Sequence, residues 1–128
     1  MQFDKEIAID ILDRVSAAID LIEERSKQYN CGDDFLLTPT GSAMLDSICM
    51  QFIAIGESLK NLDKITKGNL LQIHSEIDWK NIKGLRDIIA HHYFDIDADQ
   101  IWWIIENELQ PLRNAIIDFK NLIKRNKL

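Results

Sequence analysis

The chain has little of what marks a secreted or membrane-bound protein. Only two of its 128 residues are cysteines, Cys31 and Cys49. They are too few and too far apart for a CxxC pair, a zinc site or a disulfide framework, so they fit packing in a reducing compartment. Two prolines and five glycines leave no low-complexity linker to mark a domain boundary. No apolar run approaches membrane-spanning length. The N-terminal MQFDKEIAIDILDR carries charges where a signal peptide needs an apolar core. Basic residues are outnumbered as well, 15 Lys and Arg against 21 Asp and Glu, for a formal charge of -6. That balance excludes a broad positive field for gripping nucleic acid and leaves room only for a local site. The expectation is a cytoplasmic chain with no membrane partner.

What is present is an apolar pattern of helical period. With 46% apolar residues, one domain over 1–128 with a single core is expected, burying roughly two-thirds of the unfolded surface without help from metal or disulfide. Phe3, Ile7, Ile11, Val15, Ala18 and Ile22 form the stripe of a first helix running to about Ser26. Asn30–Asp34 breaks it, and Thr38-Pro39 supplies a cap and first-turn proline for a second helix reaching about Leu62. Gly56 within that stripe points to close packing against another backbone. A weaker third helix is expected over Lys64–His74. Asp78 is the N-cap of a fourth helix with Trp79, Ile82, Leu85 and Ile89 buried. Asp97 and Gln100 read as a capping box for a last helix that Pro111 should kink near Asn107. With Ile101, Ile104 and Ile105 facing inward, Trp103 faces out, toward a partner surface or a covering helix. The sum is an all-α, up-and-down bundle of about five helices.

The chemistry gathers in GLRDIIAHHYFDIDADQ, Gly84 to Gln100. Asp87 and His91, four residues apart, share a helix face, so the carboxylate can stabilise an imidazolium. Arg86 and Tyr93 share another. Arg86 and His91 lie about 140° apart on an ideal helix, so either the helix loosens or a second subunit completes a site. An imidazole able to move protons at a ribose 2′-hydroxyl, with a guanidinium to balance phosphorane charge, makes a metal-independent phosphodiester site. The alternative is an ion-paired helix end. His92 and His74 show no such pairing. Asp95, Asp97, Asp99 and Glu106 match ligand positions of an EF-hand, but Gln100 stands where the turn needs glycine. No metal and no cofactor are expected.

Arg86, four residues, His91, one residue, Tyr93 resembles the R-x4-H-x-Y motif of HepT-type toxins of the HEPN superfamily. IAIGESLKNL (53–62) is similar to that family's IGE-containing helix, and IDWKNIKGLRDIIAHHYFDID followed by IWWIIENELQPL to its most characteristic block. The resemblance implies a homodimeric helical bundle whose paired Arg86 and His91 line a shared endoribonuclease cleft. It implies Asp87 as the polar residue following the arginine. It makes Tyr93 the acceptor of AMP from an MNT-type nucleotidyltransferase antitoxin, a modification that would occupy the cleft and offset its positive charge. Glu57 is a supporting candidate, with a plain surface charge as its alternative. His92 departs from the more usual polar residue between histidine and tyrosine. The competing function is a non-catalytic subunit that presents substrate or nucleotide to a nucleotidyltransferase; a purely structural bundle is the third reading.

Overall fold

The computed structural model describes residues 2–91 and 94–128. Among them there is no strand. Six α-helices follow in order, α1 Lys5–Ser26, α2 Pro39–Ile65, α3 Trp79–Lys83, α4 Leu85–His91, α5 Ala98–Asn107 and α6 Leu109–Lys124, with 3-10 turns at Gly32–Leu37 and Leu71–His74. The all-α expectation holds, and no described helix is long and apolar enough to cross a membrane.

Helix starts follow the side chains that satisfy their free N–H groups. The Thr38 hydroxyl accepts from the Gly41 N–H at 2.9 Å, and Pro39 fills the first turn, where no N–H is needed. Asp78 accepts from the Asn81 N–H at 3.1 Å. Asp97 accepts from the N–H groups of both Asp99 and Gln100, so this residue of the EF-hand-like spacing serves a helix start. Only the Asp97 half of the expected capping box forms.

The core is one continuous cluster. Leu12, Val15, Ile19 and Ile22 of α1, Ile48, Phe52, Ile55 and Leu59 of α2, and Leu112, Ile116 and Phe119 of α6 are all buried. Burying each of these larger side chains contributes on the order of 1.5–3 kcal/mol before chain entropy is counted. Ile7, placed in the α1 stripe by its spacing, is 49% exposed, because the buried face of this turn passes through Ala8, which is fully buried. Cys49 packs in the core, but Cys31 is exposed.

Two elements differ from their expected form, and a third is interrupted as expected. The third helix is absent as an α-helix: α2 runs on to Ile65, Lys67 and Gly68 take positive φ, and only the Leu71–His74 turn follows. Left-handed backbone ends a helix, and the Gly68 position suits a residue without Cβ. The fourth helix divides at Gly84, whose N–H is shared between the carbonyls of Lys80 and Asn81. The last helix is interrupted where Pro111 was expected to kink it: Glu108, between α5 and α6, keeps right-handed helical angles, and the Glu108 and Leu112 N–H groups still reach the carbonyls of Ile104 and Glu108. Pro111 cannot donate to the Asn107 carbonyl, and α5 ends at that residue. Glu108 stands at the junction, half-buried, its carboxyl pushed up by burial and held at 3.4 Å by the Asn81 amide. Trp103 does face outward, 54% exposed, whereas Trp102 packs near Phe35 and Ile105 is only partly buried.

Gly56 lies where α2 meets α3. A Cβ there would stand 2.8 Å from the Ile82 carbonyl oxygen, so only glycine lets the two backbones approach this closely. Gly56→Ala is expected to cost about 1–3 kcal/mol, because the atom in the way is backbone and cannot rotate aside. Urea denaturation checks this as a lower midpoint with an unchanged slope.

His74 is held between two carboxylates, Nδ1 at 2.7 Å from Glu76 and Nε2 at 2.8 Å from Asp118, with its ring edge-on to Phe119. Desolvation opposes its charge, but the two hydrogen bonds outweigh it and raise the imidazole above its ordinary range. A histidine with a raised folded pKa stabilises fully below its unfolded value, about 6.5, and loses that contribution as pH rises through the folded value. The stability gap between wild type and His74→Gln should therefore be largest near pH 6 and shrink at higher pH in chemical denaturation.

Candidate functional site

The crossing at Gly56 places the candidate residues. The backbone of Ile82 and Lys83 lies over this glycine, and the side chains that follow reach the part of α2 just after it. Lys83 Nζ meets Asp63 at 2.8 Å. Arg86 Nη1 donates to Glu57 Oε1 at 3.0 Å. Two ion pairs thus clamp the α3–α4 junction onto α2 across the close approach.

The break at Gly84 decides where Arg86 points. On an uninterrupted helix it would fall within the apolar stripe, about 40° from Ile82 and about 60° from Ile89. With α4 restarted at Leu85, the core takes Leu85 and Ile89, and the Arg86 side chain stays 62% exposed. Among the described residues its partner is Glu57. The hydrogen bond from Arg86 holds the Glu57 carboxyl below the usual carboxylate range, with Lys60, 3.7 Å away, adding to the effect. An ion pair this exposed is screened by water and adds little to stability. The guanidinium is oriented yet accessible.

Arg86 and Glu57 are therefore brought together, which spacing alone did not predict. His91 is the last residue of α4 and is exposed. It sits about 7.5 Å farther along the helix axis than Arg86, and one protomer does not gather the two at one point. The expected Asp87–His91 pair does not form: no ion pair or hydrogen bond joins them among the described residues. An exposed i,i+4 pair at a helix end gains only a few tenths of a kcal/mol, too little to hold two mobile side chains together. Asp87 instead lines a groove with Lys60, Lys80, Lys83 and Gly84. His92 and Tyr93 lie outside the described residues. Among the described residues no group of three or more His, Cys, Asp or Glu is arranged to hold a metal ion.

The lysine groove was missed by sequence reasoning because its members come from two helices separated by a turn. The only local hint was the spacing of Lys80 and Lys83, which puts them on one helix face.

A model of the family described as Ribonuclease HepT-like matches residues 15–119. The chain belongs to this family. Among its relatives is a Thermococcus cleftensis protein named "Probable ribonuclease HepT", 30% identical over 81% of this chain and 87% of the relative. A Methanocaldococcus jannaschii protein named "Putative RNase" is 30% identical over 90% of this chain and 83% of its own length. A second protein of that organism, named "Gamma-glutamylcyclotransferase and putative RNase", is 28% identical over 91% of this chain. This chain spans about half of that relative, 49%. No solved structure matches the chain.

Proposed function

We propose that this chain is a metal-independent endoribonuclease, the toxin of a HEPN/MNT-type toxin–antitoxin pair, working as a homodimer in the cytoplasm. The observation that carries the reading is the placement of Arg86: a solvent-facing guanidinium, oriented by one carboxylate, on the same short helix as an exposed His91. Family membership supports it, as do relatives named as ribonucleases.

Arg86 and His91 are the catalytic pair. A His91 imidazole takes the proton of a ribose 2′-hydroxyl as that oxygen attacks the adjacent phosphorus. The bond from phosphorus to the 5′-oxygen breaks, and the leaving oxygen takes a proton from an imidazolium. The products are a 2′,3′-cyclic phosphate and a 5′-hydroxyl. The Arg86 guanidinium balances the charge gathering on the phosphorane oxygens. Because one protomer keeps Arg86 and His91 apart along α4, the two subunits together supply base, acid and guanidinium in one cleft. Glu57 is a positioning residue acting through Arg86, and Asp87 a supporting charge on the groove side.

Regulation follows from Tyr93, two residues after His91. Transfer of AMP to its hydroxyl by the MNT-type nucleotidyltransferase antitoxin adds a negative phosphate and a nucleoside beside the catalytic pair, closing the cleft to RNA.

A second reading, a non-catalytic subunit that presents substrate or nucleotide to a nucleotidyltransferase, draws on the charge of -6. RNA left intact across a broad substrate panel, together with tight partner binding, would favour it.

Two outcomes are expected. Arg86→Ala and His91→Ala each reduce RNA cleavage by at least about 100-fold, the scale of losing a general acid–base or a charge-stabilising group, with unchanged helical content by circular dichroism. Cleavage retained in both removes the mechanism. Intact-mass measurement of chain co-expressed with the nucleotidyltransferase shows one or more added AMP units that are absent in Tyr93→Phe. An unmodified wild type counts against the regulation.

A further inference from the structure

The acidic balance is not spread evenly along the chain. Residues 57–91 carry six Lys and Arg against five Asp and Glu, whereas the remaining residues carry nine against sixteen. The segment spared the negative charge is the one that folds around Gly56 and holds Arg86.

Within it, Lys60 of α2 and Lys80 and Lys83 of α3 line a groove that continues past Gly84 to Asp87, the residue beside Arg86. The three lysines are not equivalent. Lys83 is committed to Asp63, both side chains being largely shielded, at 28% and 27% exposure. Lys60 is only loosely held, 3.7 Å from a Glu57 whose nearer partner is Arg86. Lys80 is exposed and has no ion pair among the described residues. Two ammonium groups on flexible stems are thus free to turn toward a ligand, with a third, in the same lining, held by Asp63. Asp87 is the one carboxylate in the lining.

The lining also says what kind of ligand fits. An ammonium is a compact point charge suited to phosphate oxygens in many orientations. None of the lining residues is aromatic, so bases have no ring to stack on, and contact falls on the sugar-phosphate backbone, which positions a strand without reading its sequence. We infer that the Lys60–Lys80–Lys83 groove holds the RNA backbone on one side of the bond cut at Arg86 and His91. This rests on the ribonuclease reading and adds to it the path of the substrate. It also resolves how so acidic a chain holds a polyanion: the strand enters along the near-neutral segment, and the acidic remainder repels RNA bound anywhere else.

The test measures binding rather than cleavage. A fluorescent single-stranded RNA oligonucleotide is titrated with the full chain carrying His91→Ala, so that the RNA stays intact, at several KCl concentrations. The comparison adds Lys60→Gln and Lys80→Gln to that background. A charge-matched control adds Lys124→Gln and Lys127→Gln, at exposed positions away from the groove. Each phosphate contact to a single strand contributes about 0.7 to the slope of log affinity against log salt. Losing two contacts therefore lowers the slope by about 1.4 and weakens binding about 25-fold at 0.1 M salt. The control pair keeps the parent slope and affinity, and Lys80→Glu alone weakens binding further than Lys80→Gln alone. Equal affinity and slope in the Lys60/Lys80 variant and its parent would overturn the inference, as would an equal loss in the control. So would a variant that keeps RNA but loses the nucleotidyltransferase, which would make the groove a protein-docking face. Failure of the catalytic reading shows separately, as a wild type that binds RNA and does not cut it.

Discussion

The close approach of α2 and α3 at Gly56 is the constraint on which the site depends. With no Cβ at this position, the Ile82 carbonyl settles against α2, and everything after it in sequence is placed by that contact. Lys83 then reaches Asp63 and Arg86 reaches Glu57, both on the stretch of α2 that follows the glycine. Neither ion pair is strong by itself. Their geometry is inherited from backbone packing, which is far stiffer than two exposed side chains. The second device is the break at Gly84, which takes Arg86 out of the apolar stripe and turns it toward water. Packing thus supplies orientation, and weak electrostatics leaves the guanidinium available for chemistry.

The same arrangement explains how a net-negative chain can host an anion-handling site. Its acidic residues lie mostly outside the segment from Glu57 to His91, and within that segment Glu57 and Asp63 are paired with Arg86, Lys60 and Lys83. A single net charge for the chain hides this separation. At physiological salt, charges more than about 8 Å away are largely screened, so a phosphate in the groove responds to Lys60 and Lys80 rather than to the acidic faces of α1.

Much of the fold was legible because its determinants are local. Thr38, Asp78 and Asp97 cap the helices their positions promised, and Gly56 meets a backbone as its place in the α2 stripe implied. The interruption at Asn107–Glu108 was legible in Pro111, whereas the break at Gly84 was not, since the apolar period runs straight through it and a stripe alone cannot reveal where the axis turns. At Lys64–His74 the pattern was too short to outweigh the left-handed backbone at Lys67 and Gly68. The site was legible in its residue types but not in its contacts. Asp87 and His91 have the right spacing without the energy to stay paired, whereas Arg86 and Glu57 meet across 29 positions. His74 has no partner at helical spacing. Of its two carboxylates, Glu76 is two positions away, off the helical spacing, and Asp118 lies 44 positions away, beyond the reach of any local rule.

The central claim is that this geometry serves attack by a ribose 2′-hydroxyl on the neighbouring phosphate. The most direct measurement uses an RNA oligonucleotide with a mapped cleavage position, compared with the same oligonucleotide carrying one 2′-deoxy nucleotide on the 5′ side of that bond, in buffer containing a chelator. The account predicts that the all-ribose strand is cut to a 2′,3′-cyclic phosphate and a 5′-hydroxyl, and that the single deoxy substitution abolishes cutting at that bond. Equal cleavage of both strands, or ends bearing a 5′-phosphate, would contradict it.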